Sequence, residues 1–151
     1  MQQPHVSTYL NFERNTEEAF NFYKAVFKTE FLGPIMRHGD VPVPEGEPGA
    51  SEENKNLIIN VALPILGGHI LMGTDAGESV LGIPLTMGNN VHIALHPDSR
   101  EEADRLFAEL SAGGRIEMEM QDMFWGDYYG AFTDKFGVHW MINHSTQSYQ
   151  P

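Results

Sequence analysis

An internal repeat constrains this chain more than any other feature. The segment STYLNFERNTEEAFNFYKAVF, from Ser7, aligns without a gap on VHIALHPDSREEADRLFAELS, from Val91, at an offset of 91 − 7 = 84. Ala19 falls on Ala103, Tyr23 on Phe107 and Val26 on Leu110, so each copy carries an apolar stripe at helical spacing. Asn15 with Glu18, and Ser99 with Glu102, have the N-cap and N3 spacing of a capping box, in which side chain and backbone satisfy each other's first-turn donors. A short strand-like run, residues 6–12 and 91–96, precedes each stripe. One supersecondary unit, written twice, is the simplest reading.

The segments after the two helices are also alike. The first helix is succeeded by a strand candidate at 30–36, a loop rich in Gly, Pro and Glu at 37–56, then strands at 57–63 and 69–74 joined by a turn. After the second, Gly113 and Gly114 stop the helix, and 115–120, 128–133 and 138–143 read as strands. The expected class is α+β: a β-α-β-β-β module over 1–76, a Gly-containing connection over 77–89, and a second module over 90–151, together one domain. The loop at 37–56 is long for a compact domain. It reads equally as a lid over the first module or as disordered decoration.

Composition narrows the function classes. The chain of 151 residues has no cysteine, which removes disulfides, thiolate zinc sites and thiol nucleophiles. Its formal charge of −12 repels phosphate backbones, so nucleic acid is not an expected partner. The most apolar stretch, 57–73, is broken by Asn60, Pro64, two glycines and His69, which suits two strands and a turn rather than a membrane span. The first residues, MQQPHVSTYL, lack a basic then apolar leader, and a cytoplasmic protein is expected.

Three strings carry a family resemblance: YLNFERNTEEAFNFYKAVFKTE, ALPILGGHILMGTDA and FWGDYYGAFTDKFGVHWMIN. With the duplicated topology, they resemble the PhnB-like branch of the glyoxalase/bleomycin-resistance/dioxygenase, or vicinal oxygen chelate, superfamily over essentially the whole chain. The resemblance implies two modules forming a glyoxalase-type half-open barrel, a small-molecule ligand in its cleft, and a homodimer. The branch also carries a label linking it to demethylubiquinone methyltransferases. No G-x-G occurs here to let backbone approach a nucleotide-like cofactor, so that chemistry is not expected.

In metal-using relatives, the first and last strands of each module supply His, Gln or Glu ligands. Carried over position by position, the resemblance puts Thr8, Leu71, His92 and Met141 at those places; Trp125 and Phe124, where the chain enters the closing hairpin, could form an aromatic wall of the cleft. Only His92 is a donor. Because residues two apart share a strand face, a cluster of His69, His92 and His139 is a further candidate set of metal ligands. Steps of about 6–7 Å per two residues work against its closing on one ion. Phe124 and Trp125 have a plainer alternative as core residues, and Tyr128 and Tyr129 as cross-strand packing. Several methionines, Met118, Met120, Met123 and Met141 among them, would give an adaptable lining.

Three functions stay open from sequence. One is a small-molecule binder or catalyst whose cleft uses no tightly held cofactor. Another is a lyase or dioxygenase with a divalent metal on His92. The last is a bleomycin-resistance-type binder, whose acidic field would favour a cationic drug.

Overall fold

The computed structural model describes residues 3–146. It divides into two compact units, Met1–Thr86 and Met87–Pro151. The first contains β1 (Thr8–Phe12), α1 (Thr16–Phe27), β2 (Met36–Arg37), β3 (Ile58–Pro64), β4 (Ile70–Asp75) and a single-turn α2 (Glu78–Leu81). The second contains β5 (Ile93–Leu95), α3 (Arg100–Ser111), β6 (Arg115–Asp122), β7 (Asp127–Thr133) and β8 (His139–Ser145). Each forms an open four-stranded sheet of the same order, β1-β4-β3-β2 and β5-β8-β7-β6. In both, the first strand lies parallel to the last, and the remaining pairs are antiparallel. The duplicated β-α-β-β-β architecture expected from the repeat is therefore present.

Each helix covers one face of its own sheet. On α1, Ala19, Phe20, Tyr23 and Val26 are buried, with Phe20 edge-on to both Phe12 and Tyr23. Gly73 of β4 is required here, since a methyl at that position would collide with the Phe20 ring. On α3 the buried set is Ala103, Leu106, Phe107 and Leu110, and Phe107 meets Phe132 of β7 edge-on at 5.2 Å. Trp140 and Ile142 of β8 are sealed beneath the same helix. Burying these side chains, at roughly 1.5–3 kcal/mol each, is what holds helix to sheet.

The two helix starts differ from the expected matched pair of capping boxes. Ser99 does accept the Glu102 N–H at 3.1 Å. Asn15 makes no cap hydrogen bond; instead Asp75, at the end of β4, accepts the Thr16 N–H at 3.1 Å and the Ile58 N–H at 2.7 Å. A buried carboxylate 59 residues away thus caps α1 and ties it to both β3 and β4.

The repeat also slips. Helices match at 84, but the last inward residue of β1, Phe12, stands three before the helix cap residue Asn15, whereas Leu95 stands four before Ser99. One extra residue in the second connection turns every side chain of that strand to the opposite face of the gapless match. Thr8 consequently shares the α1 side with Leu71, and Tyr9, beside Met72, corresponds to His92.

The expected strand at 30–36 shrinks to Met36–Arg37, because Gly33 has a left-handed backbone (φ 72°) and Pro34 lacks an N–H to pair. The loop at 37–56 is anchored rather than loose. Arg14 donates to Asn54 and Glu53, and Arg37 forms a two-pronged pair with Glu17 of α1 at 3.0 and 2.6 Å. The hydrogen bond from Arg37 lowers the Glu17 pKa, so its stabilisation is present above the ordinary glutamate range and lost on acidification below it. Glu17→Gln should cost under about 1 kcal/mol in urea melts at pH 7, this pair being half in water, and less at a pH well below the ordinary glutamate range. An equal cost at both pH values would count against the ion pair.

Candidate functional site

The face of the second sheet opposite α3 is where polar side chains converge. On β8, Trp140 and Ile142 point inward, so His139, Met141 and Asn143 alternate outward. Strand pairing sets Thr133, Ala131 and Tyr129 of β7 beside them. On the other flank Ala94 of β5 pairs with Met141, and His92, just before β5, comes alongside His139 with ring centroids 5.2 Å apart.

Glu117 reaches this face through a bulge. Ile116 pairs with Phe132 and Met118 with Ala131, so Glu117 is an extra residue on β6 with no partner of its own in the ladder. Bulges of this kind re-aim a side chain. One oxygen of Glu117 lies 3.0 Å from His92 Nε2; the other lies 3.0 Å from His139 Nδ1 and accepts the Thr133 hydroxyl at 2.8 Å. The side chains of His92, Glu117 and His139 are 31%, 26% and 11% exposed, sunk enough to be ordered and open enough to be reached. The hydrogen bond from His92, with those from His139 and Thr133, holds the Glu117 carboxyl down at about 2 against the opposing effect of partial burial.

A nitrogen from each histidine and a carboxylate oxygen of Glu117 all lie within 4.8 Å of one another, the arrangement of donors a cation needs. The outer ring atom of His139 strengthens the fit. Its Nε2 lies 2.9 Å from the Gly88 carbonyl oxygen, which can only accept, so Nε2 donates there and Nδ1 is the ring atom left facing Glu117 and the space between the three donors. Histidine ligands are oriented this way by a backbone carbonyl behind them.

The sequence candidates separate into three places. His92 and His139 come together. His69 is not in their group: its Nε2 lies 2.8 Å from the Thr8 hydroxyl, within the first module. Leu71 is wholly buried under α1 and lines the core of the first module, not an open face, because it pairs with Thr8 on the α1 side of the sheet. Met141 lies on the open face two residues from His139. Trp125 and Phe124 are not core residues, being 51% and 96% exposed in the β6–β7 turn, where the Trp125 indole donates to Asp127 at 3.1 Å. Glu117 was missed, because RIEMEM reads as regular alternation and a bulge leaves no mark in it.

With that geometry in view, relatives are informative. The family model described as Glyoxalase/Bleomycin resistance protein/Dioxygenase superfamily matches residues 5–142. The chain belongs to this superfamily. It is 34% identical over 145 residues to protein YjdN of Escherichia coli K12, covering 91% of this chain and 93% of that one. Among solved structures it superimposes on PA1353 from Pseudomonas aeruginosa with a TM-score of 0.79 and 31% identity, over 95% of this chain and 98% of the other. The PhnB protein from Bacillus cereus, described with a provisional 3-demethylubiquinone-9 3-methyltransferase assignment, gives 0.69 and 26%, over 94% and 100%. The glyoxalase fold and the PhnB-like kinship expected from the three strings are both present. No helix among the described residues is long and apolar enough to cross a membrane.

Proposed function

We propose that this glyoxalase-superfamily protein holds a divalent metal on His92, Glu117 and His139 and binds a small oxygen-bearing molecule against it. The observation that carries this reading is the meeting of three donor atoms within 4.8 Å, with His139 fixed from behind by Gly88. Two imidazoles and one carboxylate suit zinc and the first-row ions from manganese to nickel. A bound ion would act there as a Lewis acid toward an oxygen of the ligand.

The chain's own residues do the rest. Glu117, ionised through the neutral range, supplies the negative charge that offsets the cation. Thr133 donates to the carboxylate oxygen it shares with His139 and fixes its orientation. The acidic surface draws cations toward the site. The expectation of a metal-free cleft rested on four carried-over positions with a single donor. Glu117 and His139 lie outside those four, and they support the metal-dependent alternative instead.

Dialysis against cobalt(II) or zinc, then metal analysis, is the test. About one ion per chain is expected in the protein as purified and reloaded, and less than a tenth of that in His92→Ala and in His139→Ala of unchanged far-UV dichroism. Failure of the parent protein to retain any ion at micromolar free metal would overturn the reading.

A further inference from the structure

The open face of the second sheet is banded along the strands. The first row is polar and holds His92, His139, Thr133 and Glu117. The next, two residues on, is apolar: Ala94, Met141, Ala131 and Met118 are set side by side by strand pairing. The row after it is polar again, with Asn143, Tyr129 and Gln121 in register. Successive rows stand about 6–7 Å apart, so the polar rows are separated by roughly 13 Å.

Beyond the third row the face ends at Asp127, which continues the same alternation on β7. Its carboxylate accepts from Asn143 at 3.1 Å and from the Trp125 indole at 3.1 Å. The hydrogen bonds from Ser145, Asn143 and Trp125 lower its pKa and keep it an acceptor. Trp125 is thereby tethered at the far end of the face with half of its surface in water. An exposed tryptophan held by a buttressed carboxylate offers a flat apolar surface at no further ordering cost.

From this banding we infer that the ligand is an elongated molecule with three parts: an oxygen chelating head, an apolar body about two residues long, and a hydrogen-bonding, planar terminus that reaches Asn143 and Trp125. The inference rests on the metal reading and names its substrate class. A compact, fully polar anion would leave the apolar row and the tryptophan without a role. An apolar body over Ala94, Met141 and Met118 gains affinity from each methylene removed from water.

Calorimetry on the cobalt-loaded protein with three hydroxamates tests it: acetohydroxamate for the head, hexanohydroxamate for head and body, and hexanohydroxamate bearing a terminal anilide for all three parts. Affinity should rise about tenfold from the first to the second, and a further fivefold or so for the third. In Trp125→Ala, a change in an exposed turn, the last gain should shrink below about twofold. Three probes of equal affinity on loaded protein would overturn the inference and leave the metal site standing. A protein that takes up no cobalt overturns both.

Discussion

Asp134→Ala should destabilise the protein by about 4 kcal/mol. The carboxylate is 3% exposed, one oxygen accepting the N–H groups of Phe136 and Val138 and the other the Trp140 indole N–H, at 2.8, 3.0 and 2.8 Å. Hydrogen bonds to an ionised group contribute roughly 1.5–3 kcal/mol each, and a buried donor left without a partner costs about 1–3 kcal/mol. The three effects will not add fully, because all serve one turn between β7 and β8. Both tryptophans of the chain lie in the second module, so indole fluorescence tracks that module selectively. With a urea slope of about 2 kcal/mol/M, the fluorescence midpoint should fall by about 2 M. A fall below about 0.5 M would show that the turn does not depend on Asp134. Asp134→Asn, which keeps an acceptor for the two backbone donors, should lose about half as much.

Gly114→Ala is expected to be the next most damaging change, at about 3 kcal/mol. A methyl there would collide with the Thr133 carbonyl oxygen and sit 2.9 Å from the backbone carbon of Asp134. The obstruction is main chain, which cannot swing aside as the end of a side chain can. Overpacking of this kind usually costs about 1–3 kcal/mol, and the upper end applies where backbone must move. The start of β6 would be pushed from β7, and Glu117 with it. Metal retention should therefore fall along with thermal stability in this variant. Full stability with full retention would show that the β6–β7 spacing is looser than the geometry implies.

Much of the fold was legible because it depends on local patterns written twice. The helical stripes of α1 and α3 survive intact, as does the Ser99 cap. The failures were set at long range or by single residues. The Asn15 cap failed because Asp75, distant in sequence, offers a better acceptor to Thr16. The strand at 30–36 failed because a propensity reading gave too little weight to Gly33 and Pro34. Half of the site was legible: His92 from the resemblance, and His139 from strand alternation two residues from Met141. Thr8 was assigned to the cleft because a gapless match hides the residue added before Ser99, and Leu71 because the carried-over last-strand position falls on the buried side of β4. Glu117 was invisible, since nothing in an alternating strand says where its ladder will skip.

The three-residue connection between Leu95 and Ser99 has a consequence for any attempt to exchange the two copies. Transplanting residues 7–15 onto 91–99 would preserve the helix start yet put the outward Tyr9 at position 93 and the inward Thr8 at position 92, so the alternation of the graft would run opposite to that of the host strand. A family comparison that slides one half over the other without a gap commits the same error on paper. Length in that short connection, more than residue identity along the strand, decides which half can carry histidine chemistry.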